Sequence, residues 1–475
     1  MSTTTPGPGP NGTTASAAPA GDELLPGTRR ALLHRLAVGQ ADGRAPSMMG
    51  AVVRGGRLVW SGGRSMVDGH GPDADVQYRI GSITKTFVAV QVMRLRDEGV
   101  LDLADPLERH LPGTAAGQLT IAQLLAHMSG LASESPGPWW ERTAGTLRPE
   151  LGDVLGEPAA RHPAGRLFHY SNPGFALLGA LVARLRGQPW DEALRREVLT
   201  PLGLTRTTTA PQAPHAGGFA VHPWADLMQP EPLTDTGLMA PAGQLWSTAA
   251  DLARWAVFLA HGAQGVLAAS TLAQMRRPAS EPDAADDWTS SYGLGLELRR
   301  RDGQALYGHT GSMPGFVAAL WVSDTDDLAA VVLANTTSGP AIGRIAANLI
   351  RIVAQHEPRI PAPWRPLPTV DPELLALTGP WYWGPSPLVM LLRADRELEL
   401  VVQGQTSRGA RFRAEADGTW TGLDGYYAGE TLRVVRGPDG TATHLDIGSF
   451  VLTRTPYGPD GDVPGGVDPA GWQAY

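Results

Sequence analysis

Ser82 and Lys85 stand three residues apart in the segment GSITKTF, and Lys85 is the only lysine of a 475-residue chain whose lysines and arginines together number 39. Arginine does every other cationic job. A guanidinium stays protonated at any working pH, whereas an amine can accept a proton once burial or a neighbouring cation lowers its pKa. A solitary lysine could be an accident of codon bias; its position argues otherwise. Serine and lysine at i and i+3 share one face of a helix, which puts the hydroxyl within reach of an amine able to deprotonate it. The chemistry implied is a serine hydroxyl activated as a nucleophile.

Two further segments carry weaker signals. In RHPAGRLFHYSNPGF, Tyr170 and Asn172 flank Ser171 at an Asn-Pro-Gly turn that feeds a helix. Taken alone, a half-buried tyrosine and a turn-forming asparagine account for them. In GHTGSMPGF, Gly308 to Phe316, a strand runs through His309, Thr310 and Gly311 into a turn, and the glycine admits a ligand close to the backbone. Alone, His309 reads as an ordinary satisfied histidine.

Together, and in this order, S-x-x-K, Y-S-N and H-T-G resemble the serine β-lactamase-related family, which includes class C β-lactamases, D,D-carboxypeptidases, D-aminopeptidases and esterases of the same fold. The resemblance runs from about Leu32 to Gln355 and takes in LLAHMSGL, PLGLTRT, PAGQLWSTAADLARW and YGLGLEL. It implies Ser82 as nucleophile, Lys85 as acceptor or relay of its proton, and Tyr170 as a second proton-transfer group with a pKa lowered by the nearby cation. It implies Asn172 on the acyl side of the substrate, His309, Thr310 and Gly311 along a strand edge, and an oxyanion hole from the backbone N–H groups of Ser82 and Ser312. The third motif departs from the Lys-Thr-Gly of β-lactamases. A neutral His309 grips a substrate carboxylate less well, which favours an ester or a small D-amino-acid amide over a β-lactam or a D,D-carboxypeptidase substrate. A catalytically inactive binding module is the remaining alternative.

The elements that must position these residues read as follows. Thr28 to Val38 has helical apolar spacing, and Met49 to Trp60 reads as a hairpin around Arg-Gly-Gly. Thr84 to Gly99 is an almost wholly apolar helix that should be buried, with Gly99 as its stop. Further helices are expected over Leu119 to Leu131, Gly174 to Gln188 and Thr248 to Gly262, the last capped by Ser247 or Thr248. Ser291 to Thr337 has the texture of an antiparallel meander, closed by a helix from Ala341 to Gln355. The hairpin must meet the late meander in one sheet, giving an α+β fold of the β-lactamase and penicillin-binding-protein type, an antiparallel sheet flanked by helices with a helical region inserted. The selectivity of such a cleft is expected from the loops Pro136 to Trp140 and Pro211 to Pro232.

Residues 26–355 are thus the expected hydrolase domain, 356–372 a Pro-rich linker and 373–457 a small all-β domain, a barrel or sandwich. The last resembles accessory β domains of actinobacterial members. Residues 1–25 and 458–475 read as tails. The chain has no cysteine and a net charge of −8 without a basic run, which speaks against thiol chemistry, nucleic acid and anionic membranes as partners. H-E-x-x-H and G-x-S-x-G are both absent, so neither a zinc peptidase nor an α/β-hydrolase is expected, and no cofactor or metal is. The expected partner is a small ester or amide; oligomeric state is left open. The N-terminus lacks a cationic segment followed by an apolar one, and no apolar run reaches the roughly 18 residues of a membrane span, so a cytoplasmic location is expected.

Overall fold

The computed structural model describes residues 24–280, 289–301, 303–323, 325–361, 363–369, 371–402 and 409–458. The two expected tails lie outside them, apart from Leu24, Leu25 and Gly458. The chain divides between Arg359 and Ile360 into two compact units.

The first unit is built on a seven-stranded antiparallel sheet. Its spatial order is Arg57–Ser65, Ser47–Arg54, Leu328–Ala334, Phe316–Ser323, Gln304–Met313, Glu297–Arg301 and Ser290–Tyr292. The N-terminal hairpin joins the meander as the pattern requires, with Met48 opposite Ala334 and Arg54 opposite Leu328. Ser47–Arg54 has no polar alternation because both its faces are covered. Met48 and Val52 pack with the helices Pro26–Asp42 and Ile342–His356 on one side. Met49, Ala51 and Val53 join the large core of the inserted helical region on the other.

Within that region the helix Thr84–Asp97 is buried from Thr84 through Met93 and again at Leu95, as its all-round apolar sequence demands. It stops at Gly99, whose φ of +72° a side chain would resist. Thr248 caps Ala249–His261 by accepting the Asp251 N–H at 3.0 Å. The helix expected over Leu119 to Leu131 is much shorter, Ile121–Leu125. Thr120 and Gln123 close a capping box at its start, and His127, at φ +55°, leaves the right-handed region and turns the chain away. Among the described residues no helix is long and apolar enough to cross a membrane.

The second unit opens with a short helix, Pro372–Leu377, followed by eight antiparallel strands between Gly379 and Thr453 that close into a barrel. Closure comes from the first strand pairing with the last, Tyr382 opposite Thr453, which leaves neither as a free edge. Its interior is filled by alternating residues including Trp381, Met390, Leu398, Leu400, Phe412, Leu432 and Leu445.

Candidate active site

Ser82 lies in the 3-10 turn Gly81–Ile83, which runs directly into the helix Thr84–Asp97. Two glycines let this turn press against the Gln304–Met313 strand. Gly81 has φ +52°, and a Cβ on it would lie 2.5 Å from the Ser312 backbone nitrogen. A Cβ on Gly311 would lie 2.0 Å from the Ile80 carbonyl oxygen and 3.0 Å from the Ser82 nitrogen. The start of the helix is anchored from behind. Thr86 donates to the Ile83 carbonyl and accepts from the Trp255 indole N–H at 2.9 Å, and the rings of Phe87 and Trp255 stack 3.8 Å apart.

Lys85 is fully buried. Its Nζ sits 2.9 Å from Ser82 Oγ, 2.7 Å from Asn172 Oδ1 and 2.6 Å from the Ala242 carbonyl oxygen. An ammonium can donate to all three. A neutral amine has two N–H donors and one lone pair. The two carbonyl-type oxygens can accept only, so they take the N–H groups, and the lone pair is left facing the Ser82 hydroxyl. Burial lowers the Lys85 pKa to about 7, against the opposing pull of Glu134, Glu141 and Glu297.

Tyr170 arrives on the segment that precedes the helix Asn172–Arg186. Ser171 is that helix's N-cap: its hydroxyl accepts the Gly174 N–H at 3.1 Å and donates to the Ala132 carbonyl at 2.7 Å. The Tyr170 phenol lies beside the Ser82 side chain, and its ring is 5.0 Å from Lys85 Nζ. The lowered pKa expected for this phenol is overturned. Burial drives it strongly upward, the neighbouring Ser82 hydroxyl only partly opposes this, and Glu297 and Glu134 add to the rise. The cation that was to stabilise a phenolate is itself an amine drawn toward neutrality.

Asn172 bridges inward and outward. Its Oδ1 faces Lys85 and its Nδ2 donates to Glu134 Oε1 at 2.9 Å. His309 is buried at 1 % exposure, with Nε2 2.9 Å from the Tyr292 hydroxyl. Its Nδ1 faces the Thr310 carbonyl oxygen and, at 3.8 Å, Glu297 Oε1. With two acceptors beside Nδ1, that nitrogen carries the proton and Nε2 accepts from Tyr292. Burial lowers the His309 pKa, which keeps the ring neutral.

Ser82, Lys85, Tyr170 and Asn172 are therefore brought together, with the backbone of Gly311 and Ser312 against the nucleophile turn and the His309 ring 6.2 Å from that of Tyr170. The Thr310 side chain is not. Strand alternation turns it to the opposite face, where its hydroxyl donates to Glu297 at 3.0 Å and its methyl touches Gly343 of the Ile342–His356 helix.

Four groups at this site escape a motif reading. The Ala242 carbonyl is backbone and has no sequence signature. Glu134 lies in LASESPGP, a stretch without pattern. Tyr292 and His127 sit in YGLGLEL and LLAHMSGL, phrases that carry the resemblance without indicating a role. His127 is fully buried; its Nδ1 accepts the Ser171 N–H at 3.0 Å and its ring packs 4.1 Å from that of Tyr170. It thereby holds the Y-S-N turn from beneath.

Comparison with known proteins gives the family and the fold. A family model described as Beta-lactamase matches residues 32–355, and one described as a domain of unknown function (DUF7586) matches residues 370–454. Penicillin-binding protein 4 of Amycolatopsis lactamdurans is 31% identical over 285 residues, 55% of this chain and 72% of that protein. A D-stereospecific amidohydrolase from Streptomyces sp. is 25% identical with a TM-score of 0.55, over 70% of this chain and 99% of the other. The octameric penicillin-binding protein homologue from Pyrococcus abyssi shares the fold, with a TM-score of 0.61 at 20% identity over 90% of this chain and 99% of the other. The β-lactamase match alone spans most of the chain, and by it the chain belongs to the serine β-lactamase-related family of hydrolases.

Proposed function

We propose that this protein is a serine hydrolase that forms an acyl-serine at Ser82 with an ester or a small D-amino-acid amide and releases the acid by hydrolysis. The observation that carries the reading is the buried Lys85 amine, 2.9 Å from the Ser82 hydroxyl, with a pKa lowered to about 7. Neutral Lys85 takes the Ser82 proton as Oγ attacks the carbonyl carbon. The oxyanion is received by the Ser82 and Ser312 N–H groups, a contribution of roughly 3–4 kcal/mol per donor in related chemistry. Tyr170, beside Ser82 and kept protonated by burial, passes a proton to the leaving alkoxide or amine and is resupplied from Lys85. Water then attacks the acyl-serine by the reverse sequence. Asn172 orients Lys85 and offers its amide to the acyl side. His309, its Nε2 engaged by Tyr292, shapes the wall behind Tyr170.

The Streptomyces amidohydrolase supports the amide branch of this reading. The relation to Penicillin-binding protein 4 favours a second one, a β-lactamase or D,D-carboxypeptidase proper. Intact-protein mass spectrometry after exposure to a panel of esters, D-amino-acid amides, a chromogenic cephalosporin and a D-Ala-D-Ala peptide separates them. An adduct on Ser82 from esters or amino-acid amides is expected. An adduct from the cephalosporin or peptide alone would establish the second reading. No adduct from any of them, or from a serine-directed probe, would leave a binding module.

A further inference from the structure

Arg79 is buried at 1 % exposure, and both of its hydrogen bonds leave from Nη2, to the Thr234 carbonyl at 3.0 Å and to Gln244 Oε1 at 2.7 Å. Both partners are neutral. Nε has no partner, and among the described residues no carboxylate pairs with the guanidinium. Burial lowers its pKa to about 10, against the pull of Glu141 and Asp235, so it stays charged at neutral pH. A charge taken out of water without a counter-ion is costly to keep. This one lines a cavity of about 350 Å³, a volume in the range of small-molecule sites, roughly 300–1,000 Å³. Trp190, Trp246 and Leu233 give the cavity apolar walls, and Asp191 and Asp235 also line it. Ser82, Lys85, Tyr170 and Asn172 do not, so it is separate from the candidate active site. The two share one segment, Ala240–Gly243: Ala240 lines the cavity, while the Ala242 carbonyl accepts from Lys85. Asp235 is steadied by its Oδ1, which accepts the Gly237 N–H at 2.9 Å; its charge acts on Arg79 although no ion pair joins them. A cation and an anion held apart on the wall of one cavity match the two charges of a zwitterion.

We propose that this cavity binds a free α-amino acid with an apolar side chain, its carboxylate on Arg79, its ammonium on Asp235 and its side chain against the tryptophans. A plain carboxylate would meet the aspartates and a plain amine would meet Arg79, so each alone binds less well. Guanidinium suits the carboxylate end because its donors are fixed in a plane that a carboxylate matches. The site is independent of the reaction at Ser82, although an amino-acid amide cleaved there releases a molecule of this class.

The test measures binding in Ser82→Ala, so that turnover does not intrude. D-leucine, L-leucine, leucinamide and 4-methylpentanoate are titrated calorimetrically at pH 6.5, where the amine and the carboxylate are both charged. One leucine enantiomer or both should bind at least about tenfold more tightly than either analogue, the difference a single charge contact makes. Adding Arg79→Gln should remove the preference for leucine over leucinamide. Adding Asp235→Asn, which keeps an acceptor for the Gly237 N–H, should remove the preference for leucine over 4-methylpentanoate. Ala210 is exposed and lines the cavity, so Ala210→Trp should fill it from the surface and abolish binding. These last two changes sit at the surface and decide the matter if Arg79→Gln does not fold, as judged by circular dichroism. No leucine binding, equal binding of leucine and its analogues, or leucine binding unchanged by Ala210→Trp and Asp235→Asn would overturn the inference. The last outcome would place leucine in the catalytic cleft instead.

Discussion

Acylation of Ser82 should titrate with Lys85. Bringing an amine from 10.5 to about 7 weighs against its charged form by about 5 kcal/mol. At pH 7 about half of the molecules then hold a neutral Lys85, against about 3 in 10⁴ for an unperturbed lysine. The rate of fluorophosphonate addition to wild-type protein, followed by intact mass between pH 5 and 9, should fall about tenfold per pH unit below 7 and level off above about 8. Lys85→Arg should give a low, flat profile, since guanidinium keeps its proton. Stability should show the same group with a definite sign. The folded pKa lies below the unfolded one, so between about 7 and 10.5 the unfolded chain binds the extra proton and ΔG of unfolding rises with pH. The penalty is complete below about 7 and absent above 10.5. Urea unfolding of wild type and Lys85→Met at pH 7 and 9 should differ in slope by somewhat over 1 kcal/mol per pH unit. A labelling rate independent of pH down to 5.5, or an inflection above 9, would refute the assignment of Lys85 as the base.

Four further outcomes are expected. Ser82→Ala should abolish labelling and turnover with the fold unchanged by circular dichroism, since Ser82 sits half-buried in a surface-facing turn; appreciable turnover would put the nucleophile elsewhere. Tyr170→Phe should slow acylation or deacylation by about 10²–10⁴ in stopped-flow measurements, the range for a general acid–base group. Thr310→Val should leave the labelling rate within about threefold, because its hydroxyl serves Glu297 on the far face of the strand; a loss like that of Tyr170→Phe would mean that the strand turns in the complex. A chain ending after Arg359, where the first unit ends, should remain folded and label at Ser82; a folded truncation that does not label would give the barrel a part in building the site.

Much of the fold was legible because its burial is periodic. The hairpin and meander alternate or run apolar, and Thr84–Asp97 is apolar all round. The failures have local causes. LTIAQLLAHMSGL has helical spacing throughout, yet a capping box starts it late and His127 at φ +55° ends it early. His127 there meets the Ser171 N–H and the Tyr170 ring, tertiary contacts that no local pattern encodes. The approach of the Lys85 amine to the Ser82 hydroxyl was legible in their types and spacing. The direction of the Tyr170 shift was not, since it depends on how deep the phenol sits, a tertiary quantity. Thr310 was misplaced because a motif names neighbours in sequence, while a strand sends neighbours to opposite faces.

The molecule contains its own control for why position 85 holds a lysine. Arg79 and Lys85 lie six residues apart on either side of Ser82, and both are buried, Arg79 at 1 % exposure and Lys85 at 0 %. Both have neutral oxygens as hydrogen-bond partners, and both feel Glu141 from outside. Burial lowers each, but from different starting points: Arg79 falls to about 10 and Lys85 to about 7. At neutral pH the first is still a cation and the second is divided between its two forms. A guanidinium in the pocket of Lys85 would meet the same Asn172 and Ala242 oxygens and keep its proton, so Ser82 would face a donor instead of a lone pair. In a chain that otherwise uses arginine, position 85 is where the proposed mechanism needs a cation able to lose its charge.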